Sequence, residues 1–265
     1  MSNKLIIHIP HSSMDIPKKH LDTFTADSET ILQNQIALTD YATDDLFNHL
    51  NHQNRLVFPV SRLLCDVERY ENDEDEIMVN RGMGVVYTHG AYGEKLRLTN
   101  VNLRNEIVQL YYKPHHNQLL KAVQTMIDEE GYCIIVDAHS FPSKPLPYEF
   151  DQNPDRADFC IGTDDYHTPA SLVKCITDYL REMKYSVELN KPYSGTMIPL
   201  ELYNKGVPVI SVMIEVNRRL YMDEATVTRS SGYDSTKRTI NNLLDIISEW
   251  TPDEQVTFIH NEVVI

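Results

Sequence analysis

The chain of 265 residues has no apolar stretch approaching the roughly 20 residues that a bilayer-crossing helix needs. Its N-terminus lacks the basic region, the long apolar core and the small-residue cleavage site of a secretory leader. The run Leu5-Ile6-Ile7-His8-Ile9 is therefore expected to be a first strand, and the protein to be cytoplasmic. Cysteine is sparse: Cys65, Cys133, Cys160 and Cys175 are widely spaced, form no Cys-x-x-Cys pair and mostly sit in apolar segments. That pattern predicts a reduced chain, not a disulfide framework. Positive charge is also short. The 24 Lys and Arg residues stand against 39 Asp and Glu, for a formal charge of -15. Such a surface repels a polyanion, so nucleic acid is not expected as a partner, and an anionic substrate must be met by a local basic pocket. No His-Glu-x-x-His, Walker A, Rossmann glycine fingerprint or nucleophile elbow occurs, which removes several enzyme classes.

What is present is the composition of an ordinary soluble globular protein, 42% hydrophobic and 24% charged. The chain is long enough to bury a large core, and with no repeat, linker or composition break it is expected to form one domain over residues 1 to 265. Strand-like runs recur near 4 to 10, 55 to 60, 84 to 88, 132 to 138, 157 to 162, 185 to 189 and 207 to 215, with helical patterns between several of them. This alternation predicts an α/β fold, a mixed and largely parallel sheet flanked by helices. One helix is expected from Thr168-Pro169, a cap followed by proline at the first helical position, with Leu172, Val173, Ile176 and Leu180 on one face. Another is expected from Asp234-Ser235, carrying Ile240, Leu243, Leu244 and Ile247. Residues 27 to 51 read as one or two helices, with Asp40 or Thr43 as a possible second cap, and residues 114 to 130 as another. The polar segments 68 to 83, 88 to 100, 140 to 156, 190 to 206 and 217 to 234 read as loops, and the acidic run 68 to 76 as a solvated one.

Three apolar runs end in residues that can bind or serve a metal: the first in His11, the run from Tyr132 in Asp137-Ala138-His139-Ser140, and the run from Val207 in Glu215. Short β-branched runs are buried strands, and α/β sheets bind ligands beyond the carboxyl ends of their strands. If those ends share an edge, two imidazoles and a carboxylate meet, which points to a metal-assisted hydrolase. His11 and His139, each flanked by serine, are expected as zinc ligands. The third ligand is open between Asp15, which could curl back from the turn after His11 and is preferred, and Asp66, after the apolar Leu63-Leu64-Cys65. Glu215 ends the longest apolar strand, where a carboxylate is costly unless it is paired or faces a site; it is expected to be the general base, the competing reading being an ion pair with Arg218 or Arg219. Asp137 could orient a ligand. Arg69 is the expected carboxylate-binding arginine, with Arg62 and Arg81 balancing the acidic loop. Asn190, Tyr193 and Gly195 lie in a stretch that either lines a pocket or is a turn. His49, His52, His115 and His116 are expected at the surface.

The chain resembles the N-formylglutamate amidohydrolase family in a series of segments that occur in order: Ile9-Pro10-His11-Ser12-Ser13, Ser61-Arg62 with Asp66-Val67-Glu68-Arg69, Arg81-Gly82 with Gly84-Val85-Val86-Tyr87-Thr88, Asp137-Ala138-His139-Ser140, Asn190 to Gly195, and Glu215-Val216-Asn217-Arg218 with Leu220-Tyr221. The resemblance implies a distant relation to zinc carboxypeptidases and a phosphorylase/hydrolase-like sheet. It also implies one Zn2+ per chain and hydrolysis of N-formyl-L-glutamate to formate and glutamate, a step of histidine degradation. In it His139 corresponds to the later zinc histidine, Glu215 to the general base and Arg69 to the carboxylate-binding arginine. Glu68 departs from the asparagine expected in an Asp-x-Asn-Arg motif, and no His-x-x-Glu ligand pair follows His11. The rival readings are an arginase-like binuclear manganese ureohydrolase, suggested by Asp137-Ala138-His139 but opposed by Phe141, a carboxypeptidase-like peptidase or amidase, and a non-catalytic small-molecule binder.

Overall fold

In the computed structural model, residues 4–49 and 54–252 are described; His52 lies outside them. Six strands, β1 (Leu5–Ile9), β2 (Arg55–Val57), β3 (Cys133–Phe141), β4 (Phe159–Gly162), β5 (Val187–Leu189) and β6 (Val209–Asn217), form one sheet in the order β2-β1-β3-β6-β4-β5. The first four in that order are mutually parallel, while β4 runs antiparallel to β6 and carries β5 parallel to itself. The mixed, largely parallel sheet expected from the sequence is thus present. All nine residues of β3 and all nine of β6 are buried, which is why both read as unbroken apolar runs instead of alternating ones.

Successive side chains of a strand point to opposite faces. One face is apolar along its whole length: Leu5, Ile7, Ile9, Ile134, Val136, Ala138, Ile210, Val212, Ile214 and Val216 pack together with residues of α3 (Thr43–Leu46), α6 (Ala170–Glu182) and α7 (Tyr233–Glu249). The other face is divided. At the amino ends of the strands, Ile6, Cys133, Ile135 and Val209 pack on Leu119, Val123 and Met126 of α5 (Lys113–Glu130). Towards the carboxyl ends the same face carries His8, Asp137, His139 and Glu215, all buried. Parallel register aligns them: His8 pairs with Asp137 across β1 and β3, and His139 with Glu215 across β3 and β6.

Several local expectations change. The run 84 to 88 is not a strand; Val85, Val86 and Tyr87 are buried in an irregular segment in which the Val85 carbonyl accepts from the Asp66 backbone N–H. Burial produced the apolar pattern there without a neighbouring edge to pair with. Thr168 does not cap α6, which follows Pro169; its hydroxyl instead donates to the Ser211 carbonyl. After the short α1 (Lys18–Leu21), Asp27 caps α2 (Ser28–Leu38) by accepting from Thr30 N–H. The residue before α3 is Ala42, at φ 58, and neither Asp40 nor Thr43 caps that helix. A helix absent from the sequence reading, α4 (Val101–Ile107), begins at Asn100, whose side chain accepts from Leu103 N–H. A π turn (Val108–Tyr112) joins it to α5, so Pro114 lies inside a longer helical run, where the wider turn accommodates the N–H that proline lacks. The four cysteines are unbridged. No helix among the described residues is long and apolar enough to cross a membrane.

Candidate active site

Over the divided face of the sheet, towards the carboxyl ends of β1, β3 and β6, lies a cavity of about 500 Å³, lined by His11, Asp40, Glu68, Arg69, His139 and Glu215 among others. His11 follows β1 past Pro10, and its carbonyl accepts from Asp40 N–H at 2.9 Å, which fixes the turn after α2 against the strand end. Asp40 is further held by Arg218, 3.4 Å from its Oδ1, while Arg218 also donates to the Ala37 carbonyl. His11, Asp40 and His139 each offer one ligand atom, all within 4.8 Å of one another. Asp40 Oδ2 is 2.9 Å from His139 Nδ1 and 3.8 Å from His11 Nδ1.

The far nitrogens of both imidazoles are held by carboxylates. His11 Nε2 donates to Asp66 Oδ1 at 2.9 Å. His139 Nε2 lies 3.2 Å from Asp137 Oδ1 and 3.1 Å from Glu68 Oε1. A carboxylate only accepts, so each Nε2 carries the proton and each Nδ1 is turned towards Asp40. This is the arrangement by which outer carboxylates orient metal-binding imidazoles. The support extends inward: Asp137 Oδ1 also accepts from His8 Nδ1 at 2.8 Å, its Oδ2 accepts from Met197 N–H at 2.9 Å, and His8 Nε2 meets His115 Nε2 at 2.8 Å.

Electrostatics follow from this packing. Burial pushes the Asp66 carboxyl up, but Arg62, His11 and Arg69 outweigh it and hold the group well below the usual carboxylate range. Asp137 is likewise held low, burial being overcome by His139 and His8. Burial disfavours charge on His139, yet Glu68, Asp137 and Asp40 raise its pKa well above the ordinary value. Without a metal it is an imidazolium donating on both sides; a bound cation would take the place of that proton. Burial, with Arg62 next, lowers the pKa of His11, and its Nδ1 is buried with no hydrogen-bond partner. Glu215 is pushed up to about 8, chiefly by burial, with His139 opposing and Asp40 and Glu68 adding to the rise. Its Oε2 is also buried without a partner. Two orphaned atoms, one on an imidazole and one on a carboxylate in the same cavity, are costly in a closed core and fit a site that receives a cation and a water.

The structure therefore brings His11, His139 and Glu215 together. It does not place Asp15 with them: that residue is exposed, and its backbone N–H is bonded to Ser13 Oγ. Asp40 occupies the position next to both imidazoles. Asp66, the alternative third ligand, is saturated by His11, Arg62, Tyr87 O–H and Glu68 N–H. Glu215 forms no ion pair with Arg218 or Arg219, which are engaged by Asp40 and Asp158. Arg69 lines the cavity with its Nε donating to the Met83 carbonyl at 3.2 Å. Arg62 grips Asp66 through Nε and Nη2, and Arg81 lies over the Phe150 ring. Tyr193 and Gly195 line the cavity, whereas the Asn190 side chain is bonded to Thr163 in a turn. His49 is exposed, as expected, and bonded to Asp245. His115, however, is buried beneath the site and His116 lines the cavity, its Nε2 donating to the Val67 carbonyl. The acidic run 68 to 76 is not solvated throughout: its two ends, Glu68 and Glu76, line the cavity, and Glu76 is buried and accepts from Tyr70 and Met78 N–H. A second grouping, His8, Glu68 and Asp137, also falls within 4.8 Å, but its His8–Asp137 hydrogen bond and the Met197 N–H on Asp137 make it a satisfied network.

The sequence and the fold are both similar to those of known proteins. The family model described as N-formylglutamate amidohydrolase matches residues 3–222. An N-formylglutamate deformylase from Pseudomonas putida is 21% identical over 259 residues, covering 93% of this chain and 92% of the relative. The crystal structure of an N-formylglutamate amidohydrolase from Ralstonia eutropha JMP134 superposes with a TM-score of 0.81 at 23% identity, covering 93% of each chain. A gene product of Agrobacterium tumefaciens superposes at 0.64 with 16% identity, over 93% of this chain and 92% of that one.

Proposed function

The chain belongs to the N-formylglutamate amidohydrolase family, and on that premise we propose that it hydrolyses the N-formyl, or a related N-acyl, amide of glutamate or a similar acidic amino acid. One metal ion per chain, with zinc as the expected species, is assigned to His11, Asp40 and His139. The observation that carries this reading is the convergence of those three side chains with Glu215 in one cavity. Two imidazole nitrogens and one carboxylate oxygen, with a cavity left open beside them, match the donor set of a catalytic zinc site. When bound, such an ion supplies Lewis acidity to the amide carbonyl and lowers the pKa of water.

The protein's own groups do the rest. Glu215 takes a proton from the attacking water as its oxygen bonds to the carbonyl carbon, and returns a proton to the nitrogen as the C–N bond breaks, releasing formate and the free amine. A carboxylate with a raised pKa is suited to hold that proton between the two steps. Arg69, fixed through Nε, turns its remaining donors to a substrate carboxylate. Asp66 and Asp137 keep His11 and His139 in one tautomer and orientation.

The test is formate release from N-formyl-L-glutamate by purified protein, before and after chelation and after zinc is restored, with metal content measured by elemental analysis. About one zinc per chain and activity that follows it are expected. Stoichiometric metal with no hydrolysis of the N-formyl, N-acetyl or N-benzoyl amide of L-glutamate would refute the proposal.

A further inference from the structure

Fifteen large apolar side chains are exposed among the described residues, and five of them, Tyr70, Ile77, Phe150, Leu200 and Tyr203, line this one cavity. They come from three separate stretches of the chain, around residues 70 to 77, at 150 and at 200 to 203. Phe150 is 63% exposed, Ile77 63% and Leu200 57%, a grouping that on a soluble surface marks a binding surface. The cavity volume of about 500 Å³ lies in the range that encloses drug-sized ligands, whereas N-formylglutamate has only about a dozen non-hydrogen atoms. A substrate of that size, held near His11, His139 and Arg69, leaves the rim in water. The wall also constrains the charge of anything larger: carboxylates outnumber arginines along it eight to three, so a further anionic group is disfavoured.

We propose that the preferred substrate is a bulkier amide than N-formylglutamate, an N-acyl amino acid whose acyl part is an uncharged aromatic group that packs against Phe150, Leu200 and the neighbouring rim. This rests on the amidohydrolase reading above and deepens it: the scissile amide and the carboxylate grip stay the same, and the acyl group extends outward along the apolar rim.

The experiment compares kcat/KM of the zinc-loaded protein for N-benzoyl-L-glutamate and N-formyl-L-glutamate, in the natural chain and in Phe150→Ala and Leu200→Ala. Both substitutions are at exposed positions, and circular dichroism checks their folding. A benzoyl-to-formyl ratio of about ten or more is expected, falling roughly tenfold in Phe150→Ala as the aromatic contact is lost. Turnover of the formyl compound with no preference for the benzoyl one would overturn this inference alone. So would a ratio that neither substitution moves, which would mean that the rim closes over any substrate without reading its acyl group. Turnover of neither compound would overturn the amidohydrolase reading and this inference with it.

Discussion

The two faces of the sheet are built by the same strands from neighbouring residues, yet they do different work. Ile214 and Glu215 are adjacent in β6 and both are buried, but the first joins an apolar layer that runs the full length of the sheet and the second faces a cavity. On the apolar face position along a strand matters little, because every level meets a helix. On the other face it decides everything: α5 covers the lower half, and where its apolar stripe ends at His115 the strand residues turn ionisable.

The comparison can be broken most severely at Glu215. Glu215→Gln is expected to lower kcat by about 10²- to 10⁴-fold, the scale of a lost general base, with zinc content unchanged; retained turnover would remove the residue from the mechanism. Its neighbour should behave in the opposite way. Ile214→Ala is expected to cost about 2–5 kcal/mol of stability as a core truncation, measured by denaturant unfolding, while kcat/KM of the folded fraction changes less than twofold. A smaller difference between the faces should appear with pH. The folded-state pKa of Glu215 is about 8, above the ordinary 4.5, so the folded chain keeps a proton that the unfolded chain loses. Metal-free protein should therefore lose stability as pH rises from about 4.5 to 8, by an amount on the order of a few kcal/mol, and Glu215→Gln should abolish that loss. Melting curves in chelator at pH 5 and pH 8.5 read it directly; a gap between the two proteins that does not widen at the higher pH would contradict the assignment.

Much of this division was legible in the chain. Unbroken β-branched runs marked β1, β3 and β6, and the polar residue at the end of each pointed to a shared edge. Asp40 was missed because it follows a helix, not an apolar run, and an aspartate before Thr43 looks like a cap. His8 was hidden inside a run counted as apolar, since its partner Asp137 is 129 residues away. The buried character of His115 depends on which side of α5 meets the sheet, and that is set by Leu119, Val123 and Met126 further along the helix. Helix α4 carries too few apolar residues for a helical period to stand out, and its signal is the Asn100 cap alone.

Asp66 has no solvent exposure, and its two oxygens serve His11, Arg62, Tyr87 and the Glu68 backbone together. Those partners are scattered over some seventy-six positions of the chain, from 11 to 87, but they share one acceptor. Substitutions among them will show epistasis: once one donor is gone the remaining ones rearrange around the same charge, so the effect of a pair departs from the sum of its members. A lineage that changes this corner of the protein has to change it as a unit.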